Sequence, residues 1–222
     1  MKLIQSRDNP FFKSLKRLAE SGRERRKTGR TLLDGVHLVE AYEQACGPVE
    51  TLIVGESALA GGEIAAYVAS REVIVLSDTL LRDLGLVDTP SGLLAVAVMP
   101  TATVAVDPAK DAILLDGVQD PGNVGTLLRT AAAAGVKLAL LGSGCASAWS
   151  PKVLRAGQGA HFALAIHEDV DLPAFMADYR GTTAVTCLDG ATLLYEARWR
   201  GPLAWVFGAE GQGVRQDRKS VV

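Results

Sequence analysis

Along the first hundred residues, apolar positions recur alternately with helical and strand periods. Phe11, Phe12, Leu15 and Leu18 share one face of a helix that Asn9 and Pro10 open, while Lys13, Lys16 and Arg17 share the other. A second helix is predicted over residues 36–45, stopped by Gly47 and Pro48. Residues 51–54, 73–76 and 93–98 are short apolar runs bounded by turn residues and read as strands, with helical stretches between them. Residues 99–108 lack a clear pattern, and a domain boundary is placed there. The alternation then restarts. Strands are predicted at 113–115, 138–141, 162–166, 183–187 and 204–207, with a helix over 124–134 and another from Pro151. The chain therefore reads as α/β, with a mostly parallel sheet covered by helices in each half.

Composition supports two folded domains. Apolar residues make up 48% and charged residues 22% of the 222 positions, close to the globular norm. No apolar run approaches the roughly 18 residues of a membrane helix, and MKLIQSRDNP at the start has no apolar signal core. Cys46, Cys145 and Cys187 are scattered and form no C-x-x-C pair. These features predict a cytoplasmic, reduced protein with no membrane partner. His37, His161 and His167 have no metal-ligand spacing, so no metal is expected.

The net charge of −2 conceals an asymmetry. Residues 1–30 contain ten Lys or Arg against three Asp or Glu, giving +7 and leaving −9 on the rest. Residues 21–30, SGRERRKTGR, are predicted to be an exposed basic loop. Such an arm either contacts nucleic acid or is a solvated surface.

Candidate chemistry lies in three glycine-rich stretches that follow strands: residues 116–125, 142–147 and 208–213. In a parallel α/β sheet this is the edge where ligands bind. None has the order of a dinucleotide fingerprint or a phosphate loop, so a nucleotide-dependent oxidoreductase lacks its main signal. There is no G-x-S-x-G element either. If the helix of the first stretch opens at Gly125, Arg129 lies one turn in and can reach back over residues 120–123, to clamp a phosphate or to pair with Asp116 or Asp120. Glu210, between glycines, either orients a ligand group or is a solvated loop charge. Trp149, Trp199 and Trp205 read as core or interface residues before base-stacking ones.

Taken together, these stretches resemble the SpoU/TrmH family of RNA ribose 2′-O-methyltransferases. Residues 116–130, DGVQDPGNVGTLLRT, look like its first motif. Residues 205–213, WVFGAEGQG, look like its second, and SPKVLRA at 150–156 resembles a stretch between them. Residues 1–98 resemble the ribosomal-protein-like RNA-binding domain often fused in front, around LDGVHLVE at 33–40 and TPSGLLA at 89–95.

The resemblance implies an RNA substrate-binding domain over 1–104 and a methyltransferase domain over 105–222. The second would be an α/β domain of the SPOUT type, with a deep trefoil knot. It implies S-adenosylmethionine as cofactor, a homodimer, and tRNA or rRNA rather than DNA as partner. By the same match the catalytic residues are Asn123, Arg129 and Glu210, and the cofactor lies against Gly208, Ala209, Gly211 and Leu188. Arg23, Arg25, Arg26, Lys27 and Arg155 become candidate RNA contacts. A free guanidinium is a poor base, its pKa exceeding about 12. The family's description of this arginine as a base and a role in stabilising phosphate or oxyanion both fit.

The family's third motif, rich in Ser, Leu and Asn, does not follow the second; only nine residues come after Gly213. On sequence alone this predicts a C-terminally truncated methyltransferase domain with an incomplete knot. The alternative is a non-catalytic RNA-binding protein that has lost the cofactor site.

Overall fold

The protein is described by a computed structural model, which describes residues 2–86, 89–101, 106–186 and 196–214. The chain divides into two compact units, residues 1–100 with 149–162, and residues 101–148 with 163–222.

The first unit contains β1 (Lys2–Ile4), α1 (Pro10–Glu20), α2 (Gly22–Thr28), β2 (Arg30–Asp34), α3 (Val36–Cys46), β3 (Thr51–Gly55), α4 (Gly62–Val68), β4 (Val73–Leu76), α5 (Asp78–Asp83) and β5 (Leu93–Val98). Its sheet runs β1-β4-β3-β5-β2. The first three of these strands are parallel, but β5 is antiparallel to both neighbours, so this sheet is mixed where a mostly parallel one was expected. Strands β1 and β2 are additional to the expected elements; the short Thr-Leu-Leu run of β2 follows directly on the basic stretch, which masks its strand pattern.

Local chemistry sets the helix ends. The Asn9 side chain accepts hydrogen bonds from the Phe11 and Phe12 amides, at 2.9 and 3.4 Å, and Pro10 occupies the first turn. This start aims Phe12, Leu15 and Leu18 into a core with Leu32, Ile53, Leu76, Leu80 and Leu94. The opposite face of the sheet takes residues 149–162, which sequence had placed in the second domain. Within them lies the short helix Pro151–Gly157, packed beside β2. Thr31 Oγ1, buried, donates to the Trp149 carbonyl at 2.7 Å.

Two of the arginines expected to contact RNA, Arg25 and Arg155, are engaged within the fold instead. The stretch 21–30 is not a loop: Ser21 caps α2 through the Glu24 amide at 3.1 Å, and Gly29 ends it at φ 67°. This helix buries Arg25, only 5% exposed, whose Nη1 donates to the Leu18 and Ala19 carbonyls at 2.8 and 3.1 Å. Arg25 therefore ties down the end of α1. Arg155 is turned instead to Asp34, whose carboxylate is 1% exposed and also accepts from the Ser91 amide and hydroxyl. A buried carboxylate needs such donors, and Arg155 is the cation that supplies its charge balance. Arg23, Arg26 and Lys27 remain exposed.

The second unit contains β6 (Ala112–Asp116), α6 (Pro121–Ala133), β7 (Leu138–Leu141), β8 (Ala165–His167), α8 (Leu172–Asp178), β9 (Thr182–Val185) and β10 (Leu203–Gly208); the helix Pro151–Gly157 is α7. All five strands are parallel, in the order β8-β7-β6-β10-β9. One face buries Leu114, Leu140, Ala204 and Val206 under Leu172, Phe175 and Met176 of α8. Helix α6 sits beside β6 and buries Val124, Leu128 and Ala131. Of its four consecutive alanines only Ala131 is buried. Residues 162–166 differ from the expected strand: a 3-10 turn covers 160–163 and β8 follows. Residues 187–195, Leu188 among them, and residues 215–222 lie outside the described residues, so the expected knot falls partly on them. No helix among the described residues is long and apolar enough to cross a membrane.

Because Arg25 caps α1 from a buried position, Arg25→Ala should cost about 1–3 kcal/mol of stability, leaving two carbonyls unpaired. Arg23→Ala, on the exposed face of the same helix, should stay within about 0.5 kcal/mol. Urea unfolding of both variants measures the difference.

Candidate active site

The order of the second sheet creates one special edge. From β6 the chain winds outward through β7 to β8, then crosses to the other side for β9 and β10. The reversal falls between β6 and β10, and ligands in open parallel sheets bind at the carboxyl ends of the strands flanking such a point. Register places Asp116, the last residue of β6, opposite Gly208, the last of β10. The first and third glycine stretches leave the sheet side by side there.

The first stretch enters α6 earlier than expected. The Asp120 carboxylate accepts from the Asn123 amide at 2.8 Å and caps the helix, with Pro121 in the first turn. Asn123 is thus a first-turn residue, and Arg129 lies more than two turns in rather than one. The third stretch folds back sharply. The Gly213 amide donates to the Ala209 carbonyl at 2.7 Å. A Cβ on Gly208 would fall 2.0 Å from the Gly213 carbonyl carbon, so no other residue fits at 208. At Gly211 a Cβ would meet nothing within 4 Å, which leaves the loop's tip open to a ligand.

The two stretches are joined by one hydrogen bond. Asn123 Nδ2 donates to Glu210 Oε1 at 2.8 Å, across 87 positions of sequence. That bond, aided by backbone amides of Glu210, Asp120 and Gln119, holds the Glu210 carboxyl below its usual range although it is fully exposed. Glu210 is therefore a carboxylate at neutral pH, and Asn123 is oriented with its amide oxygen left to accept. Arg129 is exposed on α6 and has no ion pair or hydrogen bond from its side chain among the described residues. The alternative of a pairing with Asp116 or Asp120 is not formed there. Arg129 stands about 9 Å along the helix axis from Asn123 and about 120° around it. Asn123, Glu210, Gly208, Ala209 and Gly211 are thus brought together, while Arg129 stands apart.

A match to the SpoU rRNA Methylase family covers residues 111–221, which include both glycine stretches. The chain belongs to the SpoU rRNA methylase family. Residues 9–95 match the MRM3-like substrate binding domain. The 23S rRNA (guanosine(2553)-2'-O)-methyltransferase RlmP of Bacillus subtilis is 32% identical over 217 residues, covering 96% of this chain and 85% of that protein. The mitochondrial rRNA methyltransferase 3 of Mus musculus is 32% identical over 162 residues, 66% of this chain and 37% of that protein. Among solved structures, an RNA 2'-O ribose methyltransferase has a TM-score of 0.82 at 28% identity, covering 99% of this chain and 86% of the other. The SpoU methyltransferase AviRb from Streptomyces viridochromogenes, solved in complex with the cofactor AdoMet, shares the fold with a TM-score of 0.78 at 21% identity, covering 96% of this chain and 86% of the other.

If the Asn123 amide is what depresses Glu210, then Asn123→Ala should raise the Glu210 titration toward the ordinary value of 4.5. Carboxyl carbon shifts followed by NMR across the acid range measure this. The contact between the two stretches is complete above that range. It weakens as pH falls through the lowered folded-state value, because protonation removes the charge that accepts the bond.

Proposed function

We propose that this chain transfers a methyl group from S-adenosylmethionine to a ribose 2′-hydroxyl of ribosomal RNA. The observation that supports this most directly is the Asn123–Glu210 hydrogen bond at the β6/β10 edge, within the region that matches the SpoU family. The alternative of an RNA-binding protein without catalysis would need no such joining of the two stretches.

The loop 208–213 fits the cofactor: three of its residues lack side chains, and its backbone is exposed beside the Asn123–Glu210 pair. Gly208, Ala209 and Gly211 would hold the cofactor, which when bound supplies a methyl group already activated by its sulfonium. What remains for the protein is alignment of the ribose oxygen and stabilisation of the charge it develops. Glu210 keeps Asn123 in one orientation, and the Asn123 amide oxygen accepts from a ribose hydroxyl and aims it. The Arg129 guanidinium, exposed and without a partner among the described residues, grips a neighbouring phosphate and stabilises the 2′-oxygen while its proton passes to solvent water.

The exposed side chains Arg23, Arg26 and Lys27 of α2 contact RNA phosphates, which give affinity without base choice. The active form is a homodimer, as the family resemblance implies, and its scattered cysteines suit the reducing cytoplasm; sedimentation velocity reads the assembly directly.

Arg129→Ala should abolish methyl transfer, measured with labelled S-adenosylmethionine on rRNA, and leave cofactor affinity by calorimetry within about twofold, since its role is toward phosphate and oxyanion. Unchanged transfer would remove Arg129 from the site. Replacing Arg23, Arg26 and Lys27 together by Gln should lower the slope of log K against log [salt] by about 0.7–0.9 per lost contact. An unchanged slope would make this face of α2 a solvated surface.

A further inference from the structure

A cavity in the first unit takes no part in the site described above. Its volume is about 510 Å³, inside the range of about 300–1,000 Å³ common for small-ligand clefts. It opens where β3 and β4 end and β5 begins, beside the stretch 89–95 that the sequence singled out. Ala58, Ile64, Leu81 and Pro90 supply its apolar lining, and Glu63, Asp78 and Arg82 its charged groups.

Its walls are held by specific contacts. Asp78 Oδ1 accepts from the Ser57 amide at 3.2 Å and the Ser57 hydroxyl at 3.0 Å, which pins the 3-10 turn 57–60 to the start of α5. Gly92 has φ +97°, and a Cβ there would stand 3.0 Å from Ala58 Cβ. A glycine at 92 lets the entry to β5 close that side without blocking the space. Arg82 is exposed at the end of α5 and its side chain has no ion pair or hydrogen bond among the described residues.

We propose that this cavity receives one unstacked nucleotide of the RNA strand. The base lies against Ala58, Ile64, Leu81 and Pro90, its N–H donors face the Asp78 carboxylate, and the adjoining phosphate rests on Arg82. This rests on the reading of the chain as acting on RNA. Three observations lead here. The lining pairs an apolar wall with the acceptor carboxylates of Asp78 and Glu63, which suits a flat ring bearing N–H groups. Arg82 can pair bidentately with a phosphate. The cavity lies wholly within residues 9–95, which match a substrate-binding domain. Glu63, also on the lining, disfavours a free anion there, so the ligand is a nucleotide carried by its strand. A base paired within a duplex cannot present itself this way, so the target is single-stranded or looped RNA.

The test uses the full chain and a fluorescein-labelled uridine dodecamer carrying one 4-thiouridine. Irradiation should crosslink the thiobase to peptides containing Ile64 or Pro90. Ala58→Phe, which fills the cavity, should weaken binding by about tenfold, as losing one base contact does, and suppress that crosslink. Arg82→Gln changes an exposed side chain and keeps the test decisive if Ala58→Phe melts early. It should lower the salt slope by about 0.7, one phosphate contact on a single strand. Equal affinity, slope and crosslinks in the parent chain and Arg82→Gln, or crosslinks confined to peptides away from the cavity, would overturn the proposal while leaving the methyltransferase reading intact. A parent chain that neither binds the dodecamer nor methylates rRNA would overturn both.

Discussion

Everything in the second unit that bears on chemistry depends on the pairing of β10 beside β6. That pairing is between strands some ninety residues apart, and its register ends Asp116 and Gly208 at the same level of the sheet. The two loops that follow are then neighbours, and Asn123 and Glu210 come within 2.8 Å. The apolar strand residues supply the driving force, since Leu114 and Val206 are buried on one face under α8. A slip of one position would turn them to the other face. It would also part the two loops. The burial of the core and the geometry of the site are therefore set by the same register.

Gly208 is the point where this arrangement is least tolerant. Its missing side chain is space taken by the chain's own backbone at Gly213 and Val214. The turn that presents Glu210 exists because 208 is glycine, while the openness around Gly211 leaves room for a ligand. The two glycines serve opposite purposes, one for close return of the chain and the other for access.

In the first unit, residues of one chemical type have divided roles. Arg25 and Arg155 are used internally, one on the carbonyls that end α1, the other on the buried Asp34 carboxylate. Arg23, Arg26 and Lys27 keep their charge at the surface of the same short helix. Arg25 is buried because Ser21 ends α1 and caps α2 at once, which leaves the Arg25 side chain within reach of the Leu18 and Ala19 carbonyls. A positive stretch of sequence thus contains both a structural cation and a candidate surface for phosphate.

Much of this was legible in the sequence for a local reason. Period and turn chemistry located α1, α3, β3 to β7 and β10 within a residue or two, because Asn9-Pro10, Gly47-Pro48 and the apolar runs act over a few neighbouring residues. The motif pattern likewise singled out Asn123, Gly208 and Glu210. What the sequence could not decide was non-local. It did not show that β5 runs antiparallel, that residues 149–162 pack with the first sheet, or that Arg25 and Arg155 are spent on internal carbonyls and a buried carboxylate. It also set Arg129 one turn into a helix that Asp120 in fact starts earlier. Strand order, and with it the meeting of Asn123 and Glu210, came only with the tertiary structure, because pairing of distant strands is decided by which faces can be buried together and not by any local run of residues.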